Sequence, residues 1–86
     1  NTTLELGARD AAVAKRIAAA HAKVERAYTQ VIERGQAGGE IDSTKSAASL
    51  AHYIMACLTG IVCLSKAGFD APRLREVAAT AMQAIR

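Results

Sequence analysis

The chain predicts an all-α fold, and three observations predict it. Twenty of its 86 residues are alanine and one is proline, a composition that favours helix almost throughout. Apolar residues recur at spacings of three and four, the period of a one-sided helix. Glycines cluster between these periodic stretches, at Gly35, Gly38, Gly39 and Gly68, where a helix has to stop.

Asn1 to Leu6 has no start signal of its own and reads as the end of an earlier helix, with Gly7 as its stop. Asp10 is placed to cap the next helix by accepting from its first free amides. From there Val13, Ile17, Ala20, Val24, Ala27, Tyr28 and Val31 form one continuous apolar stripe. The helix is expected to end between Arg34 and Ala37, where GQAGG follows.

Glu40 to Lys45 is a polar connection, and Ser46 is the favoured cap of the middle helix. That helix should reach about Ala67. Gly68 is then its C-terminal glycine, and Phe69 folds back on the last turn. Asp70 caps the last helix and Pro72 fits its first turn. Leu74, Val77, Ala78, Ala81, Met82 and Ile85 form its apolar seam.

The middle helix lies in a run from Ser46 to Ser65 that holds no Asp, Glu, Lys or Arg. A membrane helix needs about 20 predominantly apolar residues. Here Ser46, Ala47, Ala48, Ser49 and His52 weaken the first third, and no aromatic belt flanks the run. A central helix covered by protein fits better. Leu50, Ile54, Cys57, Leu58, Ile61 and Leu64 give it a bulky face, suited to the first helix. Ala56, Gly60, Cys63 and Ala67 give it a small-residue face, where another backbone comes close. That small face and the seam of the last helix could pack on a second copy, and two helices from each of two chains would then make a four-helix bundle with two-fold symmetry.

The formal net charge is +3, and basic and acidic residues are interspersed. Nucleic-acid binding would cluster Lys and Arg on one face. Cys57 and Cys63 are separated by about 9 Å of helix rise, too far for a mutual disulfide. The pair suggests a reducing cytoplasm. His21, His52, Cys57 and Cys63 lack metal-site spacing, and no cofactor motif is present. His52 and Cys57 point about 140° apart on a helix, so they do not form a nucleophile and base pair. No enzymatic activity is expected.

Several segments together resemble the C-terminal part of TetR-family transcriptional regulators. They are NTTLELGARD, ERGQAGGEI, SLAHYIMACLTGIVCLSKAG and FDAPRLREVAATAMQAI. Gln36, Ala37, Gly39, Glu40 and Ile41 match that family's connection, and Gly60, Ala67 and Gly68 match its long helix. The resemblance implies a single regulatory domain over residues 1–86, cytoplasmic and not membrane-bound. It implies dimerisation through the last two helices and binding of a small apolar effector. DNA would be bound only by a helix-turn-helix domain that these residues do not contain. His21, Tyr28, His52 and Tyr53 are candidate polar contacts in an effector pocket. The dimer face would use Ala56, Gly60, Cys63, Ala67, Leu74, Val77, Ala78, Ala81, Met82 and Ile85. The competing reading is a self-standing helical interaction module with no effector.

Overall fold

The computed structural model describes residues 2–86. Three antiparallel helices follow in order: α1 (Thr2–Ala37), α2 (Ala47–Lys66) and α3 (Ala71–Ile85). No strand occurs among the described residues. The all-α expectation stands, and α2 and α3 have the predicted limits.

The start of the chain departs from expectation. α1 is continuous from Thr2, so Gly7 does not stop a helix and Asp10 does not begin one. Gly7 keeps a negative φ, since only Gly39 and Gly68 have positive φ among the described glycines. A glycine inside a helix costs only about 1 kcal/mol, and the alanines after it absorb that. Asp10 is an exposed residue of the helix.

Each connection is held by local chemistry. Gly39 takes the left-handed backbone at φ 79°. Beyond it, the Glu40 and Ile41 amides donate to the Gly35 carbonyl at 2.9 and 3.2 Å. Ile41 then lies across Gly35: a β-carbon there would sit 2.5 Å from Ile41 Cδ1. The Gln36 amide nitrogen donates to the Asp42 and Lys45 carbonyls at 3.0 and 2.8 Å. Asp42 Oδ1 accepts from the Thr44 amide and hydroxyl at 2.9 and 2.6 Å. These bonds, the hydroxyl first, hold the Asp42 carboxyl below its ordinary value.

Ser46 caps α2 by accepting from the Ser49 amide at 3.0 Å. At the other end Gly68 has φ 96°. Its amide donates to Ser65 O, and the Phe69 amide donates to Leu64 O. Those two bonds satisfy the last carbonyls of the helix, the Schellman arrangement. Asp70 caps α3 through the Arg73 amide at 3.0 Å, and the Arg73 guanidinium lies 4.0 Å above the Phe69 ring.

The core is small and sits at one end. Ile32, Leu50, Ala51 and Ile85 are buried together, flanked by Tyr28, Ile41, Ala47 and Ile54. Ala51 is fully buried, and its size lets neighbouring backbones come close. The Asp42 amide donates to Ile85 O at 2.9 Å, tying the end of α3 to the α1–α2 connection.

Beyond that core the helices form a layer measuring 56 × 34 × 14 Å, one helix thick. The radius of gyration is 17.1 Å, against about 12 Å for a compact chain of this length. The accessible surface is 6393 Å², against about 4,900 Å² for a compact monomer of this mass.

Two expectations change here. The stripe of α1 was expected to meet α2, yet Val13, Ile17, Val24 and Val31 are 50%, 52%, 44% and 53% exposed. α1 meets α2 through Tyr28 and Ile32, which pack with Leu50 and Ala51, and through Glu25, which pairs with His52. Ile32 lies about 100° around the axis from Val31. α2 in turn is not covered on all sides. Only Leu50 and Ala51 are buried, and Leu58 and Val62 are 42% and 53% exposed.

Candidate functional site

α2 separates two open grooves. The α1–α2 groove, about 670 Å³, is lined by His21, Val24 and Tyr28 of α1 and by Met55, Ala56, Leu58, Thr59 and Gly60 of α2. His21, Val24 and Tyr28 are three and four residues apart, so they share one side of α1. The mainly apolar wall offers one imidazole, one phenol and one hydroxyl as polar contacts. That is the composition of a small-molecule site.

The α2–α3 groove, about 400 Å³, has two charged side chains, Arg73 and Glu76, in its wall. Tyr53 and Cys57 face Arg73, Glu76 and Thr80, over a floor of Phe69, Val77 and Ala81. Hydrogen bonding to the Cys57 sulfur, followed by the negative charge of its thiolate form, holds the Tyr53 phenol above its ordinary value.

The four candidate effector contacts do not converge on one site. His21 and Tyr28 share the α1–α2 groove, while Tyr53 lines the other. His52 is exposed and pairs its Nε2 with Glu25 Oε1 at 2.6 Å, bridging α1 and α2. One helical position separates His52 from Tyr53, about 100° of rotation, which sends them to opposite flanks of α2. No group of three or more His, Cys, Asp or Glu side chains is placed to hold a metal among the described residues.

Comparison with protein families bears on this layout. The family described as tetracyclin repressor-like, C-terminal domain, matches residues 1–82. The chain belongs to that family. No curated protein and no solved structure was found to match it.

The family's regulators are TetR-type proteins, and the domain is a regulatory one. Within this TetR-like domain, the connection from Gln36 to Ile41 has a physical reason at three positions: a side-chain amide at Gln36 that staples the loop, a left-handed glycine at Gly39, and an isoleucine at Ile41 seated on Gly35. Periodicity alone did not single out Gly35, Glu25 or the hydrogen bonds of Gln36. The Gln-Ala-x-Gly-Glu-Ile spacing held the signal for the connection. The partner of Glu25 lies 27 residues away, so nothing local announces it.

The candidate dimer residues fall into two sets. Ala56, Cys63, Ala67, Ala78 and Met82 are exposed, and Gly60, Leu74 and Val77 are half-buried. Ala81 and Ile85 are buried inside the protomer at 6% and 4% exposure. Those two side chains hold α3 to its own chain and offer little surface to another.

Proposed function

We infer that this TetR-like domain is the effector-sensing and dimerising part of a cytoplasmic transcriptional repressor. It spans residues 1–86 as one regulatory unit. DNA is read by a separate helix-turn-helix domain, and the domain itself catalyses no reaction.

The observation that carries this reading is α2, an apolar helix open on two faces within a layer one helix thick. It has the length and the mean hydropathy, 1.8, of a membrane span. TetR-family regulators are soluble proteins, so its open faces are read as surfaces for protein and ligand. The surface beyond that of a compact monomer exceeds the roughly 800 Å² that each partner contributes to a standard interface.

The partner's α2 and α3 meet the small-residue face, through Cys63 and Ala67 with Ala78 and Met82, and through Ala56 and Gly60, which also line the α1–α2 groove. A β-carbon added at Gly60 would meet nothing within 4 Å inside the protomer. Packing within the chain therefore gives no reason for glycine at that position, and close approach by a second backbone does. The effector lies in the α1–α2 groove, where Val24, Met55 and Leu58 hold an apolar body and His21 and Tyr28 fix its orientation.

Binding of an environment-sensitive apolar dye tests the groove. Val24→Asp together with Leu58→Asp should abolish dye binding while the helical circular dichroism stays unchanged. Undiminished dye binding by that double variant contradicts the assignment.

A further inference from the structure

The exposed stripe of α1 carries a second pattern. Val13, Ala20 and Ala27 alternate with Ile17, Val24 and Val31 at spacings of four and three. This is the heptad seam of a helix that packs against another helix. Residues 2–20 are exposed throughout, so this part of α1 stands clear of α2 and α3.

The flanks of the seam indicate its partner. On one side lie Arg9, Arg16 and Lys23, each seven residues from the next and all exposed. No ion pair involving them occurs among the described residues. On the other side lie Ala14, His21 and Tyr28, with no acid. A second copy aligned antiparallel would set the basic row against itself. A parallel copy would set it against Ala14, His21 and Tyr28, leaving it unpaired. Flanking charges decide partner and orientation in such seams, and both arrangements fail to neutralise the row.

We propose that the α1 seam from Val13 to Val31 docks a separate amphipathic helix whose apolar stripe is flanked by Glu or Asp. The basic row selects that helix, and the Val and Ile side chains bury against it. The seam shares Val24 with the effector groove, while Val13, Ile17 and the basic row Arg9, Arg16 and Lys23 lie outside both that groove and the α2–α3 dimer face.

Two labelled synthetic three-heptad helices with the same Leu and Ile seam test it, one flanked by Glu and the other by Lys. Fluorescence anisotropy on the whole chain at low salt should show the Glu-flanked helix binding at least about tenfold more tightly, because like charges facing each other across an interface are costly. Arg9→Glu, Arg16→Glu and Lys23→Glu together should reverse that preference. Val13→Ser with Ile17→Ser should remove binding of both peptides while helicity is retained. Equal binding of the two peptides, or binding of neither, overturns the proposal. So does a disulfide that links two copies of an Ile17→Cys variant that also carries Cys57→Ser and Cys63→Ser, and that the Glu-flanked peptide fails to prevent, because the seam then closes on its own copy.

Discussion

Gly35 shows how a single residue sets the geometry of the α1–α2 connection. Ile41 lies across it, and any β-carbon would fall 2.8 Å or less from Ile41 Cδ1 and Cγ1. Gly35→Ala therefore forces the isoleucine off its seat beside Ile32. The expected cost is about 1–3 kcal/mol, the usual range for overpacking, read as a fall in thermal midpoint. Asp42 makes a pH prediction at the same scale. Its folded pKa lies below the ordinary 3.8. Its contribution is thus fully present above the unfolded value and is lost as pH falls through the folded one. Acid titration of Asp42→Asn against the parent chain checks this: the gap between the two stabilities should shrink as pH falls through the folded pKa, and a constant gap would contradict it.

The caps at Ser46, Gly68 and Asp70 were legible in the sequence because capping chemistry is complete within four or five residues. Asp10 misled for the same reason. It has a capping side chain, but the helix around it was already nucleated by Thr2 to Ala8, and an exposed aspartate is tolerated mid-helix. The candidate polar contacts were legible as residue types and not as a group. His52 and Tyr53 are neighbours in sequence, yet α2 sends them to different partners.

Among the elements, α1 separates what periodicity reveals from what it leaves open. An apolar stripe identifies the side of a helix that avoids water and says nothing of which element covers it. Val13, Ile17 and Val31 mark the open part of the stripe, while Tyr28 at its edge and Ile32 beside it pack with Leu50 and Ala51 of α2. The attachment of α1 therefore rests on its C-terminal half. Leu50→Ala, beside Ile32, should destabilise the domain by about 2–5 kcal/mol, measured by urea unfolding. Val13→Ala, on the exposed arm, should change stability by under about 0.5 kcal/mol. Equal effects at the two positions would contradict a core confined to one end. The Glu25–His52 bridge adds little to this attachment, because an exposed pair contributes about 0–1 kcal/mol.

The whole molecule is a thin layer with one small core, and its composition explains why. Alanine-rich helices pack closely but bury little area each, and the described aromatics are Tyr28, Tyr53 and Phe69. Such a layer leaves both faces of α2 to be covered from outside. The small-residue face, with Gly60 at its centre, is the part assigned to a second copy. Gly60→Leu should weaken self-association by placing a side chain where the two helices cross. Dimer dissociation measured against protein concentration would then shift upward, and an unchanged constant would remove Gly60 from the crossing.

The proposed two-fold dimer, of which this layer is half, is the feature on which the rest turns. Sedimentation equilibrium of the purified chain measures that directly. The account predicts a mass of twice 9.0 kDa that falls toward the single-chain mass in the Gly60→Leu variant. A well-folded species of 9.0 kDa at all concentrations would contradict it.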